Sequence, residues 1–303
     1  MRVSGLNNSN AMLAQLGVNG NRVAKLMEQL STQKRVNVPS DDPVAASRLV
    51  QLGREQAAIK QYQSNITSLS GALSVQESHI TAMSNQVLAV SDKLKLANNS
   101  TLSQQDLAGY GAELESMLDS LVSTMNSKNE NGSYLFSGTK TNTKAVELVN
   151  GKYVYGGNDN SRETIVANGV AITENTNVAQ AFSGSGNDLE MLNKLKELSE
   201  KMQDPNLNFA DYQDDLTAMI DMTQSTSDSL GALFTDLGGR QNRLTLIDDA
   251  HTDVSLSNAQ VETDLNAADS ATTTINLQLY MTSMQITNKA YSMVSQLNLF
   301  SML

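Results

Sequence analysis

Asp41 and Asp42 are the pair of side chains in this sequence whose spacing most suggests chemistry. Two adjacent carboxylates can hold a divalent cation or divide acid and base work between them. Here they stand in Val38-Pro39-Ser40-Asp41-Asp42-Pro43, bracketed by two prolines. Residues before a proline are pushed to extended backbone, and proline itself is tolerated in the first turn of a helix. Acidic residues at such a point are read as helix caps, favoured by the N-terminal dipole, rather than as ligands. His79 and His251 are the only imidazoles, and no His-Glu-x-x-His pattern surrounds them. Gly156-Gly157-Asn158 lacks the spacing of a phosphate loop and reads as a turn. Asp159, Arg162 and Glu163 are charges beside a turn, which solvent accounts for. There is no cysteine, so thiolate chemistry and disulfides are excluded. No catalytic, cofactor-binding or metal site is expected, and no cofactor.

What the sequence does specify is packing. Leu52, Ile59, Ile66, Leu73, Ile80, Val87 and Leu94 recur every seven residues, and a second row runs Glu55, Tyr62, Leu69, Gln76, Met83, Val90, Ala97. This is an a/d heptad seam over about six heptads, with Glu55 and Gln76 as its polar exceptions. A helix from about Val44 to Ala97 would be roughly 80 Å long at 1.5 Å per residue. Such a rod needs partner helices along its length.

The composition fits. Hydrophobic residues make up 40 % of 303, aromatics only 4 %, and tryptophan is absent. Slim helical seams of Leu, Ile, Val and Ala suit that balance better than a wide core. A net charge of -11 without a basic cluster argues against nucleic acid as a partner. No run of 18 apolar residues exists, so no membrane insertion is expected. The N-terminus has no apolar h-region of a secretory signal peptide.

Taken in order, Met1 to Val36 reads as an amphipathic helix with Leu13, Leu16, Val23, Met27 and Leu30 on one face, weakened by Gly17 and Gly20. The proline-bracketed break follows, then the long seam. Asn98-Asn99-Ser100-Thr101 makes a turn, and Leu107, Leu114, Leu118, Leu121 and Met125 mark a second helix from about Gln104 to Lys128, folded back antiparallel. From Asn131 the pattern becomes short alternating runs, and Asn150-Gly151 is a strong hairpin signal. This middle block reads as a small β-rich insert with its own core. Helical periodicity returns at Leu189, and after Pro205 no proline interrupts the chain. A second long seam steps Leu244, Ile247, His251, Val254, Asn258, Val261, Leu265, Ala268, Thr272, Ile275, Leu279, Thr282, Ile286. His251, Asn258 and Thr272 at a-type positions read as register-setting polar residues.

The predicted fold is therefore mainly α: a long antiparallel heptad-patterned bundle formed by both chain ends, with a small β-rich insert domain in the middle. The expected division is 1–37 with 262–303 as a terminal coiled-coil assembly domain, 38–130 with 208–261 as a helical rod, and 131–207 as the outer insert. The seam residues from Leu52 to Leu94, with Leu265, Ile275, Leu279 and Ile286, are the candidate core and assembly positions.

Several runs of residues resemble the bacterial flagellin superfamily and, within it, the hook-associated protein 3 family of hook–filament junction proteins. These are the start Met1-Arg2-Val3-Ser4, the run Leu30 to Val36 followed by Pro39-Ser40-Asp41-Asp42-Pro43-Val44-Ala45-Ala46, then Tyr62 to Ile66, Asn131 to Gly138, and Leu237 to Leu244. The Ser40-Asp41-Asp42-Pro43 motif in its setting is the most specific of them. Flagellins read Lys-Asp-Asp-Ala-Ala-Gly where this chain reads Ser-Asp-Asp-Pro-Val-Ala. The alternative of a flagellin that forms the filament itself shares the other segments. The resemblance implies a structural adaptor that is secreted through the flagellar type III pathway and located at the hook–filament junction of the extracellular flagellum. It implies self-assembly into a ring, with hook-associated protein 1 and flagellin as neighbours and a cytoplasmic flagellar export chaperone before export.

Overall fold

The protein is described by a computed structural model covering residues 2–183 and 188–300, with side chains described over 10–183 and 188–294. Among the described residues, seven helices and four strands follow the order α1 (Arg2–Thr32), α2 (Pro43–Ala97), α3 (Gln104–Met125), β1 (Val146–Val149), β2 (Lys152–Tyr155), β3 (Glu163–Ala167), β4 (Val170–Thr173), α4 (Ala179–Phe182), α5 (Glu190–Gln203), α6 (Phe209–Asn266) and α7 (Ser270–Phe300). The chain divides into two compact units, Lys60–His251 and Met1–Ile59 with Thr252–Leu303.

In the central unit the heptad seam of α2 is buried from Ile66 to Ala97, and α6 answers it with Tyr212, Leu216, Met219, Leu230, Leu237 and Leu244. Gln241 on α6 reaches Glu77 on α2 at 2.9 Å. The helix α3 starts at a capping box, where Ser103 and Asp106 satisfy each other's backbone donors. It ends at Met125, one turn before the expected Lys128, because Asn126 turns aside to bind Val146 through both ends of its amide, at 2.9 Å each. Gly111 lets α3 approach α5 closely: a Cβ there would lie 2.9 Å from the Ser199 carbonyl oxygen.

The β-rich block is two separate antiparallel hairpins, β1–β2 and β3–β4. Asn150 and Gly151 both have positive φ, as a two-residue hairpin turn demands. A Cβ on Gly151 would meet nothing within 4 Å, and Leu148 and Val149 beside the turn are exposed. The block does not have a core of its own. Leu135, Phe136, Tyr153, Val166, Ile172 and Phe182 belong to the same apolar cluster as Leu73, Leu114, Leu195 and Leu216. Two short hairpins bury too little surface to stand alone, so they draw on the helices beneath them.

The second seam is not one helix. It stops at Asn266 and restarts at Ser270. Asp269 starts α7 by accepting the amides of Ala271 and Thr272. No proline or glycine marks this interruption, which is why periodicity alone carries the helix through it.

Candidate assembly site

In the terminal unit α1 packs along α7. Asn19 donates to Ser283 at 3.3 Å, and Arg22 to Tyr280 at 3.1 Å with its guanidinium over the ring. The pairs 19 with 283 and 22 with 280 fix an antiparallel register. The covered face of α1 is Met12, Leu16, Asn19, Val23 and Leu26, and that of α7 is Thr273, Leu277, Tyr280, Met284, Thr287 and Tyr291. Leu13 and Met27, which belonged to the expected α1 stripe, are about half exposed.

The seam residues Ile275, Leu279 and Ile286 lie elsewhere. They are 63 %, 62 % and 64 % exposed, and Met293 continues their row at 55 %. At 100° per residue this row lies about 200° around α7 from the residues that face α1. With Thr282 it lines an open groove that includes Gln278, Ser283 and Thr287. The reason is a change of phase. The a positions Leu244, His251, Asn258 and Leu265 continue by sevens to Thr272, but across the break the covered residue is Thr273. A seam extended through Ala267–Asp269 therefore names the wrong side of α7 as the intramolecular one. Leu297, also in the expected stripe, lies outside the residues whose side chains are described.

The remaining seam residues divide between the units. Leu52 and Ile59 are buried in the terminal unit, whereas Ile66, Leu73, Ile80, Val87 and Leu94 are buried in the central one. Leu265 is half-buried. Within the terminal unit, Gln56 on α2 donates to Ser255 on α6. The outer residues Val44, Val50, Val254 and Leu256 are exposed.

Within Ser40-Asp41-Asp42-Pro43 both carboxylates are engaged by the chain itself. Asp42 caps α2 by accepting the Ala45 amide at 3.0 Å, and its other oxygen takes the Arg35 guanidinium at 3.0 Å. These partners, the Ala45 amide first, hold its carboxyl below the ordinary carboxylate value. Asp41 pairs with Lys25 at 2.7 Å and accepts the amides of Asn37 and Val38. Its carboxyl is lowered too, by Lys25 first and then by those amides. Ser40 is exposed.

Nor do the imidazoles meet. His251 stacks on Tyr62 with centroids 5.5 Å apart, and its Nε2 is 2.7 Å from the Val166 carbonyl oxygen. His79 packs edge-on against Phe136, and burial pushes its pKa below 6.5. Among the described residues no three of His, Cys, Asp and Glu converge as metal ligands, and no described helix is long and apolar enough to cross a membrane.

Two residues that the periodicity does not single out help to hold these elements. Arg240 on α6 donates to the carbonyls of Thr173 and Asn175. Arg35 donates to the Leu265 carbonyl at 2.8 Å, supplying an acceptor-satisfying partner at the C-terminal end of α6. An arginine interrupting an apolar row is the available signal for the first, and its place before a proline-bracketed turn for the second.

Known proteins give this arrangement a setting. Residues 3–141 match the bacterial flagellin N-terminal helical region. The Escherichia coli (strain K12) flagellar hook-associated protein 3 is 29 % identical over 291 residues, 92 % of each chain. The Salmonella typhimurium flagellar hook-associated protein 3 is 27 % identical over 314 residues, covering 99 % of this chain and 96 % of its own. A solved structure of a candidate flagellar hook-associated protein from Vibrio parahaemolyticus superposes with a TM-score of 0.70 at 36 % identity, covering 75 % of this chain and all of that one. A bundle of long helices from both chain ends, a two-hairpin insert, a bare apolar stripe on α7 and relatives matched over nearly the whole chain agree: this chain belongs to the flagellar hook-associated protein family, with a flagellin-like fold.

Proposed function

We propose that the chain is a structural adaptor of the bacterial flagellum, assembled from several copies where the hook meets the filament. The observation that carries this reading is the α7 stripe. Ile275, Leu279 and Ile286 form a regular apolar row on the side of α7 that α1 leaves open. Nothing else in the described terminal unit covers it, and burying such a row stabilises by about 1.5–3 kcal/mol per side chain. A neighbouring subunit supplies that cover. The matched relatives are named for association with the hook, which supports placing the assembly where the hook ends rather than along the filament.

On this reading the work is done by packing, with no catalytic step. Copies make a ring that meets hook-associated protein 1 on one side and flagellin on the other. The chain reaches that place by type III export, escorted in the cytoplasm by an export chaperone, and ends outside the cell. Deleting the gene tests the whole. The expected cells carry hooks without filaments and shed flagellin into the medium. Filaments of normal number and attachment on the deleted strain would overturn the reading.

A further inference from the structure

The turn after α1 and the turn between α6 and α7 are tied together by more polar bonds than a connection requires. Gln33 closes α1 with φ 58°, a left-handed backbone that a side-chain-bearing residue adopts at a cost. Its carbonyl accepts the Ala268 amide at 3.0 Å. Lys34 and Ala267 form an antiparallel bridge. The Arg35 amide donates to the Asn266 carbonyl at 2.6 Å, and the Val36 amide to the Asn266 side chain at 3.1 Å. The Arg35 guanidinium then joins Asp42 to the Leu265 carbonyl.

These ties stand against a weakly specified helix pair. The α1–α7 interface is a heptad surface of mixed apolar and polar residues, with Gly17 and Gly20 opening α1. A heptad surface can slip by seven residues and still present similar side chains, and polar pairs or end constraints are what choose among registers. Inside the pair that choice rests on Asn19–Ser283, where Asn19 is buried, and on the exposed Arg22–Tyr280 bond. The cross-tied turns set where each helix begins.

We infer that Arg35 is the register pin of the terminal helix pair: by clasping Asp42 and the Leu265 carbonyl it fixes which residues of α7 meet α1 and which are left bare. The charged groups facing this clasp are Arg35 and Lys25 on one side and Asp41 and Asp42 on the other. All four side chains keep contact with solvent, so salt weakens the clasp. The inference rests on the assembly reading only in giving the bare stripe a use; the register itself is a property of the single chain.

The chain has no cysteine, so engineered pairs report without background. Two full-length reporters that leave the Asn19–Ser283 and Arg22–Tyr280 bonds intact are needed: Leu26→Cys with Leu277→Cys for the observed register, and Leu26→Cys with Met284→Cys for a slip of one heptad. Under mild oxidation the first is expected to cross-link at least tenfold faster than the second. Adding Arg35→Ala, or raising salt to about 1 M without it, should bring the two rates within threefold. If Arg35→Ala leaves the tenfold preference intact, the pin is elsewhere. If it abolishes both cross-links, Arg35 only tethers the helices and the register role is overturned. Because every measurement is made on unassembled chain, failure here leaves the junction reading standing, and normal filaments on the deleted strain would leave the register result standing.

Discussion

Gln76 on α2 and Arg240 on α6 bind three consecutive carbonyls of one loop. Gln76 donates to Glu174 at 2.8 Å, and Arg240 to Thr173 at 3.3 Å and Asn175 at 3.1 Å. Each breaks an apolar heptad row, and each is explained by the same strand end. The helices thus spend a layer of seam on gripping β4, and Asp236 steadies the arginine from one turn away.

Removing that grip should loosen the second hairpin before the helices. Arg240→Ala leaves two carbonyls without their donor, a loss of about 1–3 kcal/mol. Amide exchange in β3 and β4 should accelerate by at least tenfold, with exchange in α3 unchanged. Equal acceleration in both would mean that the arginine supports the whole central unit. A double-mutant cycle with Gln76→Leu should show coupling, since both side chains hold the same three residues.

The two kinds of seam residue should separate cleanly. Leu73→Asp buries a charge at a site with no exposure and should cost several kcal/mol in a melt of the monomer. Ile286→Asp, on the bare side of α7, should shift monomer stability by no more than about 0.5 kcal/mol. On the proposed assembly it should nonetheless abolish association of the chain into larger particles, read by light scattering of the purified chain. A large monomer defect from Ile286→Asp would show that the stripe is already covered within the chain.

Acid should act on the terminal unit through Asp41 and Asp42. Both carboxyls are lowered from 3.8 in the folded chain, by Lys25 and by the Ala45 amide first. The unfolded chain therefore binds protons first as pH falls, so their contribution is fully present above about pH 4 and fades below it. Amide exchange at Ala45, Asn37 and Val38 should be flat from pH 5 to 8, after correction for intrinsic rates, and rise below pH 4. Asp42→Asn should remove the pH dependence at Ala45 and leave that at Asn37 and Val38.

Gly111 should tolerate no side chain. A Cβ would sit 2.9 Å from the Ser199 carbonyl and 3.0 Å from Met202 Cβ. Gly111→Ala gains helix propensity of about 1 kcal/mol but must push α5 away, at a cost of about 1–3 kcal/mol. The expected net effect in urea is destabilising; a stabilised variant would show that α5 yields freely.

Much of this was legible in the sequence because heptads are a local code. Ile66 to Leu94 declared their buried side by spacing alone, and Asn150-Gly151 declared its turn. Other features were not. Ala267–Asp269 interrupts a helix although Ala267 and Ala268 are themselves the best helix formers, and the bonds that hold the break come from residues 33 to 36, distant in sequence. Gln76 looked like a defect until its partner, a backbone carbonyl with no side-chain signature, was in place. The insert looked self-contained because composition reports a change of local structure, whereas core membership is decided by which surfaces meet. Asp42 was legible as a cap from its prolines; that Asp41 would instead hold the Asn37 and Val38 amides, and the basic partner of each, were not.

The open β1–β2 turn gives the molecule a use as a carrier. Foreign sequence spliced between Asn150 and Gly151 would leave both strands their full register, Val146 with Tyr155 through Val149 with Lys152, and would displace no neighbour. Each copy would then bear one cargo peptide at one fixed place. The interval between cargoes on an assembled object would equal the interval between subunits, which turns a hairpin tip into a ruler that electron microscopy of a labelled peptide can read.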